Sequence, residues 1–355
     1  MAVDVVPGIG DARALRRWLS DKGLGSTEPL AIELIAGGRS NLTYRLDLGS
    51  SRLVLRRPPL GHVLPTAHDM SREFRVLTAL HGTDIPVPAP VANCVDPDVI
   101  GAPFYLMQYV DGQVLRTRQD AELVTADKAR QLSERLAQML AAIHDLDIAA
   151  AGLTGFGRPA GYLARQLARW QRQWELSATR EMPGYDRLVE RLAAGLPDDG
   201  DHTLVHGDFR LDNLLVTLGE GSAQPEVAAV VDWEMSTLGD PLADLGLALI
   251  YWAGPDDPEW LDIGIGATVT AKPGFLTRAE LAARYAQLTG RDLSDIGYYM
   301  AFGCYKLAVV LEGIHARFLQ NKTVGEGFEQ EGPAVPVLIH RAHQVLDTGL
   351  PGNAA

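Results

Sequence analysis

Hydrophobic and polar positions change rhythm about a third of the way along the chain. Through the first 110 residues the dominant repeat is the two-residue alternation of half-buried strands. Asp11 to Leu19 is an exception, an amphipathic helix with Leu15, Trp18 and Leu19 on one face. Ile32–Ile35 and Thr43–Leu48 read as strands on either side of a small-residue turn, Gly37-Gly38-Arg39-Ser40-Asn41. Arg52–Arg56 reads as a third strand, stopped by Pro58-Pro59. A helix is predicted over Ser71–Leu80, with Ser71 as N-cap and Glu73 in the first turn. Phe104–Val110 is apolar along nearly its whole length, as in a strand covered on both faces, and Asp111-Gly112 breaks it.

Beyond that break the repeat is helical. Leu132, Leu136, Met139, Leu140 and Ile143 form one buried stripe. Tyr162–Trp174, Leu276–Leu288, Tyr298–Leu319 and Val337–Leu346 are further predicted helices. Leu214–Val216 and Val227–Val231 are short strands joined as a hairpin. The expected layout is α+β: a small antiparallel-sheet lobe over residues 1–110, one crossing, and a larger helical lobe over 111–355.

At 355 residues, with 46% hydrophobic and 22% charged, the chain fits two packed lobes and excludes a disordered or fibrous protein. Cys94 and Cys304 form no spaced ligand set, which argues against a disulfide framework and fits a cytoplasmic location. The start lacks a secretory pattern, and the longest apolar run, Leu245–Gly254, is half a membrane span. No membrane partner is expected. Residues 1–110 carry 11 basic and 11 acidic side chains, so the net charge of −13 falls entirely in the remainder. That field repels phosphate backbones and excludes a nucleic-acid partner.

The densest chemistry is Val205-His206-Gly207-Asp208, Asn213 five residues after the aspartate, and Asp232-Trp233-Glu234 after the next strand. Phosphoryl transfer from a nucleotide needs a carboxylate to orient an attacking hydroxyl and oxygen ligands to hold magnesium at the phosphates. An aspartate on a tight loop, an asparagine opening a strand and an aspartate ending its partner supply that set, in the order found in protein kinases. His206 reads as a support packed under the loop rather than a proton carrier.

These residues, with Gly239-Asp240-Pro241-Leu-Ala-Asp244-Leu245, resemble the aminoglycoside phosphotransferase family, small-molecule kinases with the protein-kinase fold. Arg39-Ser-Asn-Leu-Thr-Tyr44, Val54-Leu-Arg-Arg-Pro-Pro59 and Ala164–Trp170 are similar to the kinase-like domain associated with certain acyl-CoA dehydrogenases. The resemblance implies a two-lobe kinase-like fold, ATP and magnesium as cofactors, Asp208 as catalytic base, and Asn213 and Asp232 as metal ligands. It places Gly37, Gly38, Arg39, Ser40 and Asn41 over the phosphates. Arg56 takes the position of the kinase lysine, with Glu73 as its partner, and backbone groups of Gln108 and Val110 face adenine. Asp244 would brace the catalytic loop, while Asp240 has no assigned role.

Tyr162, Arg165, Trp170, Tyr305 and Glu312 are the candidate substrate residues. Arg165, Arg169, Arg172 and Arg317 bring positive charge to that region, which points away from a polycationic aminoglycoside. A neutral or anionic hydroxylated small molecule is expected instead. A hydroxyacyl-CoA would suit the dehydrogenase-linked subgroup and imply a functional link to acyl-CoA metabolism. The alternative is a non-catalytic nucleotide-binding scaffold with the same fold, disfavoured because Asp208, Asn213 and Asp232 are all present.

Overall fold

The computed structural model describes residues 6–25, 27, 29–35, 41–49, 51–60, 69–219, 223–255, 257, 260, 268–320 and 328–350. The chain forms two compact units, residues 1–112 with 228–234 and residues 113–227 with 235–355.

The first unit is built on β1 (Ala31–Leu34), β2 (Leu42–Leu48), β3 (Ser51–Arg57), β4 (Pro90–Cys94) and β5 (Phe104–Gln108). They form one antiparallel sheet in the order β1-β2-β3-β5-β4. Tyr44, Leu55 and Leu106 lie in register across its middle. With Leu46, Leu53 and Phe104 they close over Leu15 and Leu19 of α1 (Ala12–Asp21). A strand turns successive side chains to opposite faces. Arg56 therefore faces α2 (Met70–Leu80), while Arg57 is held by the carbonyls of Gly8, Pro58 and Ile100. This is the divergence that alternation predicts for the two neighbours.

Two helix starts differ from expectation. The N-cap of α2 is Asp69, whose carboxylate accepts from the Arg72 N–H at 3.0 Å, while Ser71 lies inside the helix and accepts from Asn93. Asp11 likewise caps α1. Both residue types cap well, and the helix begins at the earlier one. The strand β4 had no alternation to reveal it, because Pro90 and a register shift up to Ala92 interrupt its ladder.

The second unit holds α3 (Arg118–Glu122), α4 (Ala126–His144), α5 (Tyr162–Ser177), α6 (Tyr185–Ala194), α7 (Pro241–Tyr251), α8 (Arg278–Thr289), α9 (Ile296–Leu319) and α10 (Glu331–Thr348). A two-stranded ladder pairs β6 (Thr203–Val205) with β9 (Thr237–Gly239). Strand β7 (Leu214–Thr217) also lies in this unit, while β8 (Glu226–Val230) falls mostly in the first; both are close to the predicted positions.

Helix α7 is the buried axis of this unit. It is apolar all round and carries no amphipathic stripe. A Cβ on Gly246 would sit 2.5 Å from the backbone of Tyr299, so only glycine allows α7 and α9 to cross this closely. Helix α10 begins six residues before the predicted start and contains Pro336. Proline cannot bond the carbonyl four residues back. Here that carbonyl, Gly332, accepts from Arg180 at 2.5 Å instead, and the helix continues through the proline.

Candidate functional site

Two clusters of polar side chains, one in each unit, carry the chemistry. In the first unit Arg56 projects from β3 among three carboxylates. Its Nε lies 3.1 Å from Glu73 on α2, and its Nη2 is paired with Asp232 and 3.9 Å from Glu234. Asn41 donates to Glu234 at 2.7 Å, joining the edge of the small-residue turn to the cluster. Burial pushes the Glu73 carboxyl up to about 7; Arg56 opposes the shift, and the like charges of Asp232 and Glu234 add to it. Burial disfavours the charge on Arg56, but its acidic neighbours outweigh that and hold its pKa well above the usual range. Asp232 has φ 67°, the one positive φ at a non-glycine residue among those described. Such left-handed backbone costs energy and persists where the surroundings impose it, commonly at functional sites.

Of the nucleotide-binding candidates, Gly37, Gly38, Arg39 and Ser40 lie outside the described residues. The N–H of Gln108 donates to the carbonyl of Ala89 at 2.8 Å, so a base contact at this residue would have to use its carbonyl. Val110 lies between Tyr109, on which Arg52 stacks, and Asp111, with which Arg52 pairs.

In the second unit the loop after β6 is held from beneath. Asp244, in the first turn of α7, is buried and accepts from the backbone N–H groups of His206 at 2.6 Å and Gly207 at 2.8 Å. His144 of α4 lies 3.3 Å from the same carboxylate and bonds the Tyr285 hydroxyl at 2.7 Å. Burial pushes the Asp244 carboxyl up, but these donors more than offset it and hold it below the ordinary range. Gly207 has φ 82°, and a Cβ there would lie 2.6 Å from the Met235 carbonyl, so the turn requires glycine.

The turn presents Asp208. Its N–H donates to Nδ1 of the fully buried His206 ring at 3.3 Å. The Asn213 amide nitrogen donates to Asp208, at 2.8 Å to the carbonyl and 3.1 Å to the carboxylate. Burial drives the Tyr251 phenol pKa well above the usual value, and the nearby Asp208 charge adds to the shift. Asp240 caps α7 through Leu242 and accepts from the Tyr299 hydroxyl at 2.8 Å.

Three functional-site neighbours were missed in the sequence. Tyr251 and Arg210, stacked 4.4 Å apart, bracket the loop, and Arg210 pairs with Asp212. Lys306 of α9 donates to the Gly207 carbonyl at 2.5 Å. Its one signal was a lone lysine inside an apolar helix.

The substrate candidates separate. Tyr305 is fully buried, hydrogen-bonded to Tyr185, which stacks on Trp174. Glu312 is fully buried and accepts from the N–H and hydroxyl of Thr179 at 2.8 and 2.6 Å. Both belong to the helical core, and their polar atoms hold α6 and the segment before it against α9. Arg165 folds back onto the carbonyls of Arg158 and Ala160. Tyr162 packs against Gly239 at the end of β9, and Trp170 lies beside Lys306.

Among the described residues no group of three or more His, Cys, Asp or Glu side chains could hold a metal ion unaided, and no helix is long and apolar enough to cross a membrane. Residues 31–281 match the family model described as the phosphotransferase enzyme family. Acyl-CoA dehydrogenase family member 10 of Mus musculus is 35% identical over 323 residues, 90% of this chain and 30% of that protein. Family member 11 of Gallus gallus is 35% identical over 321 residues, 88% of this chain and 40% of that protein. The chain thus spans 30 to 40% of these curated relatives. A Ralstonia eutropha structure described as an aminoglycoside phosphotransferase is similar at 32% identity and TM-score 0.78, over 95% of this chain and 98% of that one. A mutant of aminoglycoside phosphotransferase APH(4)-Ia, in complex with ADP and hygromycin B, shares the fold at 13% identity and TM-score 0.60, over 95% and 99%.

Proposed function

The chain belongs to the phosphotransferase enzyme family, and on that footing we propose that it is an ATP- and magnesium-dependent kinase transferring the γ-phosphoryl group to the hydroxyl of a small molecule. The observation that carries this reading is the Asp208 loop, a carboxylate held by Asn213 on a turn braced at two backbone N–H groups by Asp244. An orientation imposed by several partners is what a base acting on a bound hydroxyl needs. Asp208 would receive the acceptor's proton as phosphorus–oxygen bond formation proceeds, while ADP leaves with the bridging oxygen.

The residues present fit magnesium. In the second unit Asn213 bonds Asp208 through its amide nitrogen, which leaves the amide oxygen as its donor for a hard cation, and in the first unit Asp232 offers a carboxylate. Magnesium bound there would neutralise charge on the phosphates. It takes few protein ligands when phosphates supply the rest, so the lack of a larger carboxylate cage is no obstacle. Within this reading residues 1–110 bind the nucleotide through Arg56, Glu73, Asn41 and the glycine-rich turn. Residues 111–355 hold the catalytic loop and the acceptor.

The relatives' names connect them with acyl-CoA dehydrogenation, and the acceptor we favour is a hydroxyacyl-CoA rather than an aminoglycoside. The test is a mass-spectrometric screen for gain of one phosphate, with ATP and magnesium, over a panel of hydroxyacyl-CoA thioesters, free hydroxy acids and aminoglycosides. Phosphorylated thioester formed by the parent and not by Asp208→Ala is the expected result. Magnesium-dependent nucleotide binding without transfer to any compound would replace this reading with the scaffold one.

A further inference from the structure

Helix α9 is apolar over most of its length, yet Lys306 stands in its middle. Its ammonium has three donors, and the one acceptor it meets among the described residues is the Gly207 carbonyl, adjacent to Asp208 in the chain. Among those residues it forms no ion pair. Its ammonium lies 5.8 Å from the centre of the Trp170 ring, and the exposed Arg169 guanidinium lies 5.2 Å from the same centre. Trp170 is 6% exposed, and its indole N–H meets no acceptor. Burial holds the Lys306 pKa below the usual range; Asp208 and Asp244 oppose the shift and Arg169 adds to it.

Two cations and an unpartnered buried N–H around one indole make a poor structural arrangement. Like charges repel, and a buried donor without an acceptor is costly. Around the Trp170 ring, donors exceed acceptors among the described residues. An anionic oxygen group beside this ring is the partner such donors select.

We propose that Lys306, Trp170 and Arg169 form an anion subsite for the phosphoryl acceptor, so that the acceptor carries a carboxylate or phosphate as well as its hydroxyl. The place of this subsite in a reaction rests on the kinase reading above, but its binding property does not. The anion is the carboxylate of a free hydroxy acid or a phosphate of a coenzyme A carrier. Lys306 is a specificity residue here, and its bond to Gly207 ties acceptor binding to the catalytic loop.

Calorimetric titration of the full chain with 3-hydroxybutyrate, its methyl ester and coenzyme A decides the matter, in the parent, Lys306→Met and Arg169→Gln. The exposed position of Arg169 makes its variant safe for the fold. The parent should bind at least one of the two anions and discriminate against the neutral ester. A binding 3-hydroxybutyrate identifies the carboxylate source, and binding of coenzyme A alone identifies the phosphate. Each substitution should weaken that anion about tenfold or more, the size of one lost charge-assisted hydrogen bond. In transfer assays Lys306→Met should raise KM for the anionic acceptor more than it lowers kcat. Equal binding of acid and ester, binding of neither anion, or parent-like affinity in both variants overturns the subsite. A lysine that merely held the loop would lower kcat on acid and ester alike. If no compound is phosphorylated, the titration still reads the subsite, which separates its failure from failure of the kinase reading.

Discussion

Replacing Asp244 by asparagine isolates the brace beneath the catalytic loop. The carboxylate accepts from two backbone N–H groups, of His206 and Gly207, and faces His144 at 3.3 Å, all without exposure to water. Asparagine keeps the shape but offers one acceptor oxygen and turns an NH2 toward the second N–H. One buried backbone donor is then unsatisfied, at about 1–3 kcal/mol. The remaining bond loses its charge assistance, about another 1 kcal/mol. Together the expected loss is about 2–4 kcal/mol, read as a shift in the denaturant midpoint with the slope unchanged.

The pH dependence of this contribution has a defined sign. The folded-state pKa of Asp244 lies below its ordinary value of 3.8. The unfolded chain therefore takes up the proton first as pH falls. The stabilisation is fully present above about pH 4 and is lost as pH drops through the folded pKa. Asp244→Asn should remove that part of the acid slope. A variant within about 0.5 kcal/mol of the parent at pH 7 would refute the reasoning, since a surface acid behaves that way and a buried brace does not.

Three further outcomes follow from the same geometry. Asp208→Ala should reduce transfer by at least about 100-fold while leaving nucleotide affinity within a factor of about three, measured by turnover and by calorimetry, because a base acts on the acceptor hydroxyl. Asp232→Ala should instead weaken nucleotide binding in magnesium and leave binding in chelator nearly unchanged. Glu73, with a folded pKa raised to about 7, is protonated in the folded chain while the unfolded chain has already ionised above its ordinary 4.5. Its contribution thus falls as pH rises from about 4.5 through about 7, and Glu73→Gln should flatten that part of the stability–pH curve.

The strands of the first unit and the long helices of the second were legible because one face of each is buried and the other wet, which writes the repeat into the sequence. Where that contrast vanishes, legibility does too. Pro90 breaks the alternation of β4. Helix α10 looked too short because Pro336 ends most helices, and what rescues it is the side chain of Arg180, more than 150 residues distant in the chain.

The site divides along the same line. Asp208, Asn213 and their support His206 could be placed because they sit within eight residues, and their roles depend on that local turn. Arg56 and Glu73 were reachable through strand alternation and helix position. Lys306 was not, because nothing in Cys304-Tyr-Lys-Leu-Ala-Val309 says which carbonyl its ammonium meets; the glycine crossing of α7 and α9 determines that. The same gap explains Glu312 and Tyr305. At helical spacing a polar residue reads alike whether it faces a ligand or a neighbouring segment, and here Thr179 and Tyr185 claim them. A sequence can therefore locate the carboxylate proposed to react through its own turn, whereas the groups that would choose its substrate depend on contacts made across the helical unit. The charge of Lys306 and Arg169 beside Trp170 is the part of this unit from which acceptor chemistry can be argued.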